Sequence, residues 1–186
     1  IRLGTFSHWR EEGFIRRFAE TIAFLHHQAM VDQAYYILEI DFEKRQYSIG
    51  VMRAEEDVNR SLAHLSAGAG NLTLELAAFL NPSIGESQTI IPPPSYPSLS
   101  VPVTLPDDGI FLQIRTMRGL YNPQDGELPY VLFSPRGFSE FAVIQISLPT
   151  AGPITVLVNP FTGLAEVYRS LKDFEWTYGR QEKNQT

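Results

Sequence analysis

The chain has 186 residues, 44% hydrophobic and 12% aromatic, with 21 acidic against 15 basic side chains and a formal charge of -6. That length fits one domain with a buried core, and the acidic balance, with no run of Lys and Arg, gives no electrostatic footing for nucleic acid or an anionic membrane surface. Zero cysteines exclude disulfides, thiolate metal sites and cysteine nucleophiles, and no stretch approaches the roughly 18–20 apolar residues of a bilayer span.

Residues 7–30 carry a helical period. Ile15, Phe18, Ile22, Leu25 and Ala29 recur at steps of 3, 4, 3 and 4, which sets them on one stripe. Glu12, Arg16 and Glu20 stand four apart on the outer face, where ion pairs are weakly helpful. Gly4 and Gly13 each cost about 1 kcal/mol against Ala inside a helix. Ser7 is followed three residues later by Arg10, so no capping box opens the segment. The stripe has two readings, the core of the domain's own helix–sheet packing and the packing spine of a filament. Phe6, Trp9 and Phe14 lie off the stripe or ahead of it and point to apolar exposure that a lone domain does not want. The chain opens on Ile1 rather than Met, so the helix is expected to begin upstream.

Tyr35 to Phe42 alternates, with Tyr36, Leu38, Ile40 and Phe42 on one face and Glu39 and Asp41 on the other. After the polar Glu43-Lys44-Arg45, the residues Tyr47, Ile49 and Val51 resume the pattern, which predicts a hairpin. A short helix is expected over 55–65 and a strand over 72–80. From Asn81 to Pro106 seven prolines predict an extended loop with little ladder pairing. Strands follow at 110–117, 130–133, 141–148, 154–158 and 164–168, joined by turn residues. The tail from Ser170 is polar, and residues 180–186 are expected to fray.

Chemistry-bearing constellations are thin. His26 and His27 are adjacent, so on a helix they project about 100° apart and do not close on one metal ion. Asp107-Asp108-Gly109 after Leu105-Pro106 reads as a turn into the next strand, since Asp and Gly tolerate its dihedrals. No P-loop, G-x-G-x-x-G or G-x-S-x-G is present. Neither a cofactor, a metal nor a catalytic residue is expected, and the chain is not read as an enzyme.

The order of these elements resembles a family. A helix leads into the 35–51 hairpin, and Leu105-Pro106 with Gly109 opens a strand. Phe133-Ser134-Pro135-Arg136-Gly137 and the late Pro160-Phe161-Thr162-Gly163 turn follow. This is similar to the minor pseudopilins of the H type in bacterial type II secretion, and to the related FimT-like minor pilins of type IV pili. The resemblance covers about 1–53 and 103–169, and its pattern positions are Pro106, Gly109, Pro135, Gly137, Thr162 and Gly163.

The resemblance implies an α+β, pilin-like domain with an N-terminal helix packed on antiparallel sheets. One domain is expected over 1–186: residues 1–31 as the end of a stalk helix, 34–169 as a β-rich head with a variable insertion at about 54–105, and 170–186 as a tail. It implies a structural role in fibre assembly and protein secretion. The partners implied are other pseudopilins or pilins, major and minor, and secreted cargo. The head would lie in the periplasm, anchored in the inner membrane by a segment ahead of Ile1. The reading from another class is a β-sandwich module for carbohydrate or peptide, with Trp9, Tyr96, Tyr121 and Trp176 as an aromatic platform.

Overall fold

A computed structural model describes residues 3–53 and 89–175. The helix expected over 55–65, the strand over 72–80, the fraying end and Trp176 lie outside the described residues. The elements are α1 (Leu3–Asp32), β1 (Tyr35–Asp41), β2 (Gln46–Arg53), β3 (Thr89–Ile91), β4 (Val103–Thr104), β5 (Ile110–Thr116), β6 (Leu120–Tyr121), β7 (Tyr130–Phe133), β8 (Ala142–Leu148), β9 (Gly152–Val158) and β10 (Ala165–Tyr168). The architecture is α+β, one N-terminal helix with antiparallel sheets. The first sheet runs β3-β2-β1-β7 with β4 also on β2, and the second runs β10-β9-β8-β5-β6.

Helix α1 stops where Gln33 turns left-handed at φ 51° and the Ala34 N–H reaches back to the Ala29 carbonyl at 3.1 Å, a left-handed helix cap. The hairpin stands as its alternation predicts, with Tyr36 opposite Val51 and Leu38 opposite Ile49. Strand β5 departs from simple alternation. A bulge between Phe111 and Gln113 turns the strand so that Phe111 and Ile114, three apart, both reach the core. One buried cluster takes side chains from α1 and from both sheets.

One expectation is corrected and two are sharpened. Phe14, placed off the stripe, is buried and stacks on Phe18 at 5.8 Å between centroids, because a residue four before Phe18 borders the same stripe. The described part of the proline stretch pairs little, as expected, through the short strands β3 and β4 on β2. Neither strand contains proline; the prolines at 92–94, 97, 102 and 106 fall between the paired residues. The segment Phe133–Gly137 does turn tightly, with the Gly137 N–H on the Ser134 carbonyl at 3.2 Å. It closes a short hairpin, with Phe133 bridged antiparallel to Ser139, and the chain then leaves the first sheet for β8 in the second.

That crossing is locked by a buried ion pair. Arg118 donates through Nε and Nη2 to the two carboxylate oxygens of Glu140, at 2.9 and 3.0 Å. The Leu132 N–H adds a bond to Glu140 Oε2 at 3.3 Å, and the Glu140 N–H returns one to the Leu132 carbonyl at 2.7 Å. Arg118 lies 3.6 Å above the Tyr130 ring centroid. Burial pushes the Glu140 carboxyl above the usual carboxylate range against the opposing pull of Arg118. Burial also disfavours the Arg118 cation, but Glu140 outweighs it and holds the guanidinium above its ordinary value. Removing one partner strands the other in the interior. Arg118→Met is therefore expected to cost about 3–5 kcal/mol in urea unfolding, and Arg118→Met with Glu140→Leu to recover most of that loss.

Candidate functional site

The helix is the feature around which the candidate residues gather. Ile15, Phe18, Ile22, Leu25 and Ala29 are all buried in the core of this chain, so the stripe stands in helix–sheet packing. The turns of the family pattern are strung along the helix. At its start, Asp107, in the turn between Pro106 and Gly109, accepts from Ser7 Oγ at 2.8 Å and from the Arg10 guanidinium. Asp107 and Asp108 take positive φ of 50° and 62° there, and the Gly109 N–H closes the turn on the Pro106 carbonyl at 2.9 Å. The turn reading holds, with the left-handed residues being the aspartates rather than Gly109.

Farther along, Gly163 meets His26 and Gly137 meets Met30. A Cβ on Gly163 would fall on the His26 ring, and one on Gly137 would sit 3.0 Å from Met30 Sδ. Both glycines also hold positive φ, 65° and 82°. Thr162 and Pro135 serve the turns themselves. The Thr162 N–H donates to Asn159 Oδ1 at 3.2 Å, and Thr162 Oγ1 accepts from the Leu164 N–H at 3.3 Å. Pro135 follows Ser134, whose Oγ accepts from the Arg136 N–H at 3.1 Å.

Polar anchors supplement these contacts. Glu11 is fully buried, and its carboxylate accepts from the Thr150 N–H at 3.0 and 3.1 Å and from the Ala151 N–H at 2.6 Å. It thereby caps the turn from β8 to β9. Glu12 pairs with Arg169, a contact that lowers the Glu12 pKa. At the far end Asp32 accepts from Gln28 at 2.9 Å, from Ser95 at 2.6 Å and from the Tyr36 hydroxyl. Burial pushes the Asp32 carboxyl up, but those donors outweigh it and hold it below the usual range. Burial and the neighbouring Asp32 push the Tyr36 phenol up.

Glu11 was legible in principle, since it lies four before Ile15 and so puts an acid on the apolar stripe. Ser139 carried no signal. Of the expected outer-face ion pairs, Arg16 with Glu20 forms at 2.8 Å, while Glu12 reaches Arg169 instead.

His26 and His27 divide as their 100° separation predicts, His26 buried and His27 exposed. His26 Nδ1 lies 2.8 Å from Ser139 Oγ. Ser139 is only 4% exposed, and its N–H donates to the Pro160 carbonyl at 2.9 Å. The pair fastens the helix to the segment between β7 and β8. Among the described residues no group of three or more His, Asp or Glu is placed to hold a metal ion. Tyr96 packs edge-on to Phe24 at 5.7 Å, Trp9 lies beside His8 at 6.4 Å, and Tyr121 is in β6. Trp9 and Phe24 stand about 22 Å apart along the helix at 1.5 Å per residue, so Trp9 and Tyr96 sit at separate places on it. Compared with family models, with curated proteins and with solved structures, the chain matches none.

Burial, with a smaller effect of His27, lowers the His26 pKa from its ordinary 6.5. The fold therefore favours neutral imidazole. The stability His26 contributes is complete above about pH 6.5 and is lost as pH falls through that value toward the folded-state pKa. Unfolding midpoints between pH 8 and pH 5 are expected to show this decline, and the His26→Gln variant to lack that part of it.

Proposed function

We propose that the chain is the head of a minor pilin-like subunit, of the H-type pseudopilin kind in type II secretion. Its role is structural: assembly into a short fibre beside other pseudopilins. The observation that carries the reading is the state of the helix. From Glu11 to Asp32 it is fixed to the head by the stripe and by anchors on three sides. Its first turns instead carry Phe6 at 72% and Trp9 at 71% exposure. Large aromatics held in water on a rigid helix are expensive for an isolated head and useful where helices pack side by side. Among the described residues no helix is long and apolar enough to cross a membrane; in this reading the anchoring segment lies ahead of the head. The FimT-like type IV pilin reading shares the same geometry and differs only in the fibre joined.

The 186 residues hold no cysteine, so one introduced among them is a defined probe. With the full reading frame expressed beside its secretion or pilus system, Trp9→Cys is expected to crosslink to a pilin-type subunit carrying its own single cysteine. Glu166→Cys on the exposed edge strand β10 serves as the comparison and is expected to crosslink far less. Phe6→Glu and Trp9→Glu should leave head stability within about 0.5 kcal/mol, as surface changes do, while abolishing assembly. An ordinary cleavable export leader directly ahead of Ile1, or no crosslink from Trp9→Cys, ends the proposal.

A further inference from the structure

The helix carries a second stripe that the core takes up only in part, burying Phe14 and half-burying Phe24. Phe6, Arg10, Phe14, Arg17, Thr21 and Phe24 recur at steps of 4, 4, 3, 4 and 3, a line about 100° round the helix from the core stripe. From Arg10 to Phe24 this line forms one wall of a groove of about 700 Å³. Tyr47 and Ile49 of β2 form its floor, and Leu99, Val101 and Val103 its outer wall. Contacts across the groove close both ends, Arg10 with Asp107 at one and Phe24 with Tyr96 at the other. The helix between them spans about 21 Å at 1.5 Å per residue, which matches about six residues of extended chain.

The outer wall puts apolar side chains in water, with Val101 64% and Val103 39% exposed, while the helix wall is mixed, with exposed Arg10, Arg17 and Glu20 beside Phe14 and Phe24. Its charges nearly cancel: Arg10 is paired with Asp107, and Glu20 with Arg16. Arg17 is left over. It is exposed, its Nε donates only to the Gly13 carbonyl of its own helix at 3.2 Å, and among the described residues no ion pair involves it. A segment short enough for this groove is too short to hold a helix of its own, whereas an extended strand alternates its side chains between floor and solvent.

We infer that the groove binds an extended segment of a partner protein, about six residues long, with alternating apolar side chains and one carboxylate that meets Arg17. This inference does not rest on the pilin reading, and its test involves no fibre. The probe is an array of synthetic hexapeptides with alternating Val, Leu and Phe and a central Glu, beside the same set with central Lys. The 186-residue chain is expected to be retained about tenfold more by the Glu set, the size of a charge-assisted hydrogen bond. The Arg17→Glu variant, altered at an exposed position and checked for folding by circular dichroism, is expected to reverse that preference. Val101→Asp on the opposite wall should weaken retention by the Glu set without reversing the order. Equal retention of both sets, no retention, or an unchanged order in Arg17→Glu overturns the inference. So does a concentration-dependent dimer in sedimentation that Arg17→Glu abolishes, because a second copy would then be the occupant.

Discussion

The structure depends on the burial of Phe18. Its ring lies 5.8 Å from Phe14 in the same helix, 5.0 Å from Tyr47 in the first sheet and 6.5 Å from Phe111 in the second. One side chain therefore touches every layer. Ile15, Ile22, Leu25 and Ala29 extend that contact along the helix. At about 1.5–3 kcal/mol for each large side chain, the stripe supplies on the order of 10 kcal/mol of gross stabilisation. A domain's net stability is about 5–15 kcal/mol. The two sheets have no reason to face one another without the helix between them.

An apolar stripe alone leaves the helix free to slip by a turn, since the next turn presents similar side chains about 5.4 Å on. The polar contacts remove that freedom. Glu11 is satisfied only opposite the Thr150 and Ala151 N–H groups, and His26 only opposite Ser139. The ring of His26 also requires a residue without Cβ at 163. Burying the Glu11 carboxylate is costly in itself, and its three accepted bonds act at one register alone. Such groups contribute less to the depth of the energy minimum than to its uniqueness.

The parts legible in the sequence were those decided by local pattern. The stripe followed from 3.6-residue spacing, and the 35–51 hairpin from two-residue alternation. The left-handed turn at Asp107 and Asp108 followed from residue chemistry. What pattern could not supply was pairing between distant residues. Arg118 and Glu140 stand 22 apart, and nothing local to either announces the other. Which sheet each later strand joins was not legible for the same reason. Phe133–Gly137 folds the chain back as far as the Phe133–Ser139 bridge, and nothing in its turn chemistry says that the next strand departs to the second sheet beside the buried pair. Phe14 was misplaced because the stripe was drawn too narrowly; a helix lying between two sheets buries a broader arc than one packed on a single face.

The groove follows from the same proline pattern that hid strands β3 and β4. Strand β3 pairs with Val51 to Arg53, and β4 with Gln46 and Tyr47. Only residues 48–50 of β2 lie between those pairings, yet residues 92–102 must connect them on the neighbouring edge. A regular ladder would place three residues opposite three. The surplus cannot pair with β2, and the prolines at 92–94, 97 and 102 withhold the donors that pairing would need. The excess chain therefore runs out from the sheet edge beside the helix, where Leu99 and Val101 become a wall before Val103 rejoins the ladder in β4. The slot is the geometric consequence of too much chain over too little strand, and Arg17 faces it because the second stripe of α1 runs along that flank.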